Sequence, residues 1–359
     1  MQKNVLDYVK DQKGEMYIFG TGKLGLAMKD YLLLHNKELK IDGFVVSDNM
    51  KKQDELESLP VYCLSDVQFK EDDSLIVATS KEFFPEIIPN IVNDTVCKNV
   101  YVLSFIDEMC SVIVSKLIRK GISLDEEIID FGLFKVPNLF LLAKDDIGTL
   151  VTYACEFVDL VLPYLGDESM IDEGIYEYYG AKLNKGDVVL DCGANVGMFS
   201  ARAASVGCDV YAFEPAPVPT KWLEKTKSIY NDAINIEPFA LADEEGKTQF
   251  YLWDECIGAG SMTDKGVKGA TIDVNMTTVD EFVKRNNLKR VDFIKADIEG
   301  AERLMLKGAK ETLRTHAPKL AICTYHCFDD VSALTEVILE ANPNYKIVYA
   351  WKKLYAWVD

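Results

Sequence analysis

The sequence predicts an α/β chain with two doubly wound, mainly parallel sheets: a small one, then a helical connector, then a larger sheet with an antiparallel edge. Three observations carry this. Short apolar runs alternate with helical patterns across 16–105 and again across 187–326, the order that places helices on both faces of a parallel sheet. A glycine-rich strand-to-helix turn opens each series. The chain has 359 residues, and a single core stops growing near ~250–300, so two cores are expected.

Residues 16–20 (MYIFG) read as a buried strand that runs into Gly20-Thr21-Gly22-Lys23-Leu24-Gly25 and a helical pattern through Leu34. Strands follow at 41–46, 74–79 and 99–105, with helix-like segments near 64–67 and 82–92. Residues 1–105 thus form a small Rossmann-like domain, short of the six strands of a full dinucleotide-binding domain. Gly20, Gly22 and Gly25 suit a phosphate on a helix N-terminus. Asp48, at 48 − 25 = 23 residues past Gly25, suits a ribose, although a solvated loop carboxylate is equally ordinary there. Residues 106–170 read as the helical connector, with an apolar stripe in TLVTYACEFVDLVLPYLG stopped by Pro163 and Gly166. From 171 to 359 the series is strand 187–191, helix from 198, strand 209–214, helix 219–230, strand 234–239, a hairpin-like GKTQFYLW, strand 291–297, helix 301–313 and strand 319–325. YKIVYAW and KKLYAWVD close it as an antiparallel ribbon.

Lys plus Arg number 39 and Asp plus Glu 58, a net charge of −19 that repels phosphate backbones and disfavours a nucleic-acid partner. Nine scattered cysteines without a C-x-x-C pair predict reduced thiols and a cytoplasmic protein. The first residues lack the apolar core of a signal peptide, and no run approaches the ~18 apolar residues of a membrane span. Three histidines, none at ligand spacing, argue against a His-rich zinc site.

The second glycine turn carries the chemistry. In Leu190-Asp191-Cys192-Gly193-Ala194-Asn195-Val196-Gly197 the spacing is G-x-N-x-G, unlike a dinucleotide turn, where a pyrophosphate must sit on the helix N-terminus. A ligand with an amino-acid end and a nucleoside end needs backbone approach at Gly193 and Gly197 with polar partners such as Asp191 and Asn195, and S-adenosylmethionine is such a ligand. The next strand ends in Glu214, at 214 − 193 = 21 residues on, near the offset of about 20 at which a carboxylate meets ribose hydroxyls. Asp191 reads equally well as a helix N-cap.

DVVLDCGANVGMFSARAA, VYAFEP, PFALADEEG, Gly260-Ser261 and above all FIKADIEGAE, in that order over about 187–326, resemble the successive motifs of the FkbM-type S-adenosylmethionine-dependent methyltransferases. The resemblance implies the seven-stranded class I methyltransferase fold, S-adenosylmethionine as donor, Ala240 of PFALADEEG as a further cofactor contact, and usually a hydroxyl acceptor on a sugar or related metabolite. The first domain resembles, less specifically, the nucleotide-sugar-binding domain of bacterial sugar acyltransferases. The 254–270 stretch has no assigned role.

Acceptor chemistry is expected at the strand ends beside the switch in strand order, where Gly193 and Asp297 become neighbours. Asp297 and Glu299 then face the reacting methyl, and His326, with an ordinary pKa of about 6.5, is the expected general base. Plainer readings stand beside these: Glu299 and Glu302 as acids at a helix start, His326 as a cap on the fifth strand. No metal ligand set is assigned, although a divalent cation on Asp297 and Glu299 stays open. The reading is an O-methyltransferase acting on a sugar hydroxyl, nucleotide-linked, in a glycan or in a related metabolite, as in polysaccharide biosynthesis. The alternatives are an NAD(P)-dependent oxidoreductase or epimerase working through the first domain, or a nucleotide-binding module. The expected partner is a small molecule or glycan, with no nucleic acid and no integral membrane segment; homo-oligomerisation stays open.

Overall fold

The computed structural model describes residues 4–10, 12–266 and 268–359; residues 1–3, which open the first expected domain, Asp11, and Val267 of the unassigned stretch lie outside them. The chain divides into two units, Met1–Ile129 with Asn138–Leu150, and Asp130–Pro137 with Val151–Asp359. The 106–170 stretch is therefore shared between the units instead of standing apart as a connector. Helix Phe105–Arg119, started by a Ser104–Asp107 capping box, packs on helix Lys23–His35 within the first unit.

In the first unit the sheet order is Glu55–Leu56, Leu59–Cys63, Gly43–Val46, Met16–Phe19, Ser74–Val77, Asn99–Val102. Only the short hairpin between the first two is antiparallel. Its core is apolar residues of both strand and helix origin, including Phe19, Val45, Leu75, Val77 and Ile91. Gly20, Gly22 and Gly25 meet at one strand-to-helix turn, where a Cβ on Gly25 would overlap the Gly20 carbonyl, while Gly22 faces open space. Asp48 lies past the neighbouring strand and accepts a hydrogen bond from the Ser65 N–H at 2.9 Å.

The second unit is built on β1 (Val188–Cys192), β2 (Asp209–Phe213), β3 (Ile234–Glu237), β4 (Phe293–Ala296), β5 (Lys319–Cys323), β6 (Lys346–Ala350) and β7 (Lys353–Trp357). Their order is β3-β2-β1-β4-β5-β7-β6, with β7 antiparallel to both β5 and β6. This is the class I methyltransferase fold. Leu190, Phe213, Phe282, Ile294, Leu320 and Leu354 share its core, with Phe213 edge-on to Phe282 at 4.8 Å. The expected strand 234–239 breaks at Pro238, which has no N–H for a ladder; Phe239–Leu241 joins a separate three-stranded sheet with Gly246–Tyr251 and Thr271–Thr277. The expected helix 301–313 is two helices, Glu302–Lys307 and Lys310–Thr315, parted at Gly308, where a Cβ would overlap the Ala242 carbonyl. Among the described residues no helix is long and apolar enough to cross a membrane.

Candidate active site

A cavity of about 210 Å³ opens at the carboxyl ends of β1, β2 and β4, where the strand order reverses and open α/β sheets hold their ligands. Gly193, Asn195, Glu214, Ala240, Asp297 and Glu299 all line it. Pairing of Cys192 with Ala296 brings the β1 and β4 ends together, and the Asp297 N–H donates to the Cys192 carbonyl at 3.1 Å. Gly193 has φ +77°, and a Cβ there would overlap the Asp297 carbonyl.

Asp191, Gly197 and His326 depart from expectation. Asp191 is fully buried and absent from the cavity wall: its Oδ1 lies 3.2 Å from Lys295 Nζ and its Oδ2 accepts from the Ser200 hydroxyl at 2.6 Å. Lys295 sits opposite it in register on β4 and also donates to the Gly193 carbonyl at 2.5 Å. Burial alone would lower the lysine pKa, but the Asp191 and Asp297 carboxylates raise it, so the pair is ionic. Asp191 therefore braces the glycine turn through Lys295. Gly197, at φ +89°, opens helix Met198–Val206 and packs on Leu223 and Thr226 behind the cavity.

Glu214 accepts from the N–H groups of Asn195 at 3.0 Å and Ala216 at 2.8 Å. Each oxygen keeps lone-pair capacity for a further donor. Burial pushes its carboxyl up to about 7, against those two donors. Asp297 accepts from Tyr176 Oη at 2.9 Å and Tyr325 Oη at 3.3 Å. Burial raises its pKa, but Lys295, His326 and Lys353 outweigh this and hold it below the usual carboxylate value.

The FIKADIEGAE motif has a structural logic. Glu299 at φ +57° and Gly300 at φ +101° make a tight turn after β4. Glu302 closes that turn by accepting from the Ile298 N–H at 2.8 Å and the Gly300 N–H at 3.0 Å. His326, three residues beyond β5, is nearly enclosed and does not line the cavity. Its Nδ1 lies 3.0 Å from Glu302 Oε1. Burial disfavours the imidazolium, but Glu302, Asp297 and Glu299 prevail and raise its pKa to about 9. A pKa raised that far favours the imidazolium at neutral pH and argues against the general-base role expected from the ordinary value.

Two cavity walls were not foreseen. Helix Ile147–Leu160 contributes Thr152, Cys155, Glu156 and Asp159. The Glu156 Oε2 is buried without a hydrogen-bond partner, and burial pushes its carboxyl up to about 8 despite Lys295. The second wall is 256–260, inside the unassigned stretch, where the Gly258 N–H donates to Thr152 Oγ1 at 3.0 Å. A Cβ on Gly258 would meet Asn195 Nδ2 and the Thr152 methyl. The run Gly258-Ala259-Gly260-Ser261 is the one signal of such a close approach in the sequence.

Residues 191–353 match the family model described as the methyltransferase FkbM domain. Among curated relatives, 31-O-demethyl-FK506 methyltransferase FkbM of Streptomyces tacrolimicus is 25% identical over 194 residues, covering 45% of this chain and 74% of that protein. Hexuronic acid methyltransferase AglP of Haloferax volcanii is 25% identical over 156 residues, covering 44% and 63%. A solved structure, methyltransferase FkbM from Methylobacillus flagellatus KT, aligns over 99% of this chain and 94% of its own with 18% identity and a TM-score of 0.41. The family-model match, together with the sheet order and the glycine turn at its switch point, makes residues 191–353 similar to the FkbM-type methyltransferase domain.

Proposed function

We propose that the second unit is an S-adenosylmethionine-dependent O-methyltransferase whose acceptor is a sugar hydroxyl. The charge of the cavity is the observation that carries this reading. Glu156, Asp159, Glu173, Glu214, Asp297 and Glu299 line it against one lysine, Lys295, which Asp191 already neutralises. Burial keeps Glu156 and Glu214 partly protonated at neutral pH while Asp297 stays ionised, and a bound cation would draw out the remaining protons, so the wall suits a cationic ligand and offers no positive charge to the pyrophosphate of a dinucleotide. S-adenosylmethionine is cationic at both sulfonium and ammonium, and when bound it supplies an electrophilic methyl group. Gly193 leaves room for close approach, Glu214 has lone pairs for ribose hydroxyls, and the unpartnered Glu156 suits the ammonium. Asp297, kept ionised, accepts from an acceptor hydroxyl and orients it. The sugar class draws support from AglP, a hexuronic acid methyltransferase by name; among sugars, an acidic site favours a neutral polyol over an anionic one such as a uronic acid.

Calorimetry with S-adenosylhomocysteine and NAD tests the reading: micromolar binding of the former and none of the latter is expected, and the reverse order overturns it. Methyl transfer from labelled donor to a panel of nucleotide sugars and glycans tests the acceptor. Glu214→Ala is expected to weaken S-adenosylhomocysteine by about 1.5–3 kcal/mol, the range for hydrogen bonds to a charged group; an unchanged affinity removes Glu214 from the ribose site.

Glu156 makes the affinity depend on pH. Free, it is protonated below about 8; beside an ammonium it must ionise, so binding expels a proton and weakens as pH falls. Between pH 8 and pH 6 the affinity is expected to drop several-fold, by at most ~tenfold per unit. Glu156→Gln should bind more weakly at pH 8 and flatten that slope, while 5′-methylthioadenosine, which lacks the amino-acid end, should be insensitive to the substitution. Equal slopes in both proteins would separate Glu156 from the ammonium.

A further inference from the structure

We infer that Asp297, Glu299 and His326 form a binding site for a hard divalent cation, Mg²⁺ or Mn²⁺, at the acceptor side of the cavity. One ligand atom from each residue lies within 4.8 Å of the other two. His326 supplies the observation that separates this from a mere acidic patch: its side chain is 4% exposed, and Nε2 points between the two carboxylates, 3.7 Å from Asp297 Oδ1 and 3.5 Å from Glu299 Oε2, with no hydrogen-bond partner. Neighbouring ligand atoms on an octahedral ion with bonds of about 2.1 Å stand about 3 Å apart. Nε2 would have to close on each carboxylate oxygen by well under an ångström, and the two carboxylate oxygens, no more than 4.8 Å apart, would close on the ion from either side.

The surrounding shell fits. A metal-bound histidine normally gives its other ring nitrogen to a carboxylate, which fixes ring orientation. Here Nδ1 lies 3.0 Å from Glu302 Oε1, close enough for a small turn of the ring to make that bond, and Glu302 is itself fixed by the backbone N–H groups of Ile298 and Gly300. Tyr176 and Tyr325 donate to Asp297 and orient it in turn. Two carboxylates and one imidazole suit the harder first-row and alkaline-earth ions more than a thiolate-seeking metal. Lys265, on an exposed loop, pairs with Glu299 and occupies the place of the missing positive charge; loading exchanges that ammonium, and the proton on Nε2, for the ion. Asp297 and Glu299 line the cavity while His326 stands behind them, so the remaining coordination positions face the cavity. Two adjacent hydroxyls of a sugar would fill them, which would orient one and lower its pKa. That role rests on the methyltransferase reading, whereas the binding of the ion does not.

Mn²⁺ titration of the full chain by electron paramagnetic resonance tests the site without turnover. One equivalent is expected to bind at micromolar strength, with a ¹⁴N coupling from an imidazole in the pulsed spectrum. Glu299→Gln and His326→Gln should each weaken Mn²⁺ at least tenfold, and His326→Gln should abolish the nitrogen coupling. Lys265→Met, a change at an exposed side chain that removes the competing ammonium, should tighten Mn²⁺ several-fold. No uptake at millimolar Mn²⁺, binding without nitrogen coupling in the wild type, or unchanged affinity in Lys265→Met and Glu299→Gln together would each overturn the site. S-adenosylhomocysteine affinity measured alongside separates the two proposals: its persistence without Mn²⁺ uptake removes the metal and leaves the methyltransferase reading in place.

Discussion

Gly193→Val is expected to abolish S-adenosylhomocysteine binding in calorimetry up to millimolar ligand. Two costs coincide at this position. The backbone sits at φ +77°, a region that strains a β-branched residue by roughly 1–3 kcal/mol. The new Cβ would also overlap the Asp297 carbonyl, and that contact is between two strand ends held in register by the Asp297 N–H on the Cys192 carbonyl. Neither backbone can retreat without opening the β1–β4 pair, so the turn is displaced into the cavity it lines. Gly197→Ala provides the contrast. Its Cβ would meet Leu223 and Thr226, so it should lower the melting temperature and spare most of the affinity. A Gly193→Val protein that binds within threefold of wild type would show that the ligand does not use this turn.

Much of this site was legible because chain order and strand chemistry suffice for it. A glycine turn after one apolar strand, a carboxylate at the end of the next and an aspartate at the end of a later one meet wherever parallel strands are wound outward from a switch point, and Gly193, Glu214 and Asp297 do so here. What stayed hidden depends on packing. Lys295 looks like a polar residue in an apolar strand, and only the register reveals Asp191 opposite it. Asp191 was expected on the ligand because its position beside the turn is visible and its burial is not. Glu156 lies on a helix whose apolar stripe reads as plain core, and the wall at 256–260 has no regular period to read. The pKa of His326 was misjudged for a related reason: its ordinary value ignores Glu302, which comes within 3.0 Å only once the turn after β4 has folded.

Lys295→Met should be the most destabilising single change in the second unit. It leaves Asp191, fully buried, with the Ser200 hydroxyl as its one remaining strong donor, and removing one member of a buried ion pair costs about 3–5 kcal/mol. At roughly 2–4 °C per kcal/mol for a unit of this size, the melting temperature should fall by about 6–20 °C. The companion variant Asp191→Asn with Lys295→Met removes both charges and should recover much of the loss, since replacing a buried pair by neutral groups of similar volume is often tolerated. The two proteins together decide what Asp191 does. If it only braces the turn, through the Lys295 ammonium that also holds the Gly193 carbonyl at 2.5 Å, the double variant should fold and bind S-adenosylhomocysteine within about tenfold of wild type, one factor of ten being the ~1.4 kcal/mol of a single net hydrogen bond. A double variant that melts like wild type yet binds no S-adenosylhomocysteine would instead place the Asp191 carboxylate on the ligand, and the ion pair with Lys295 would then be the resting state of a group that turns toward the donor when it binds.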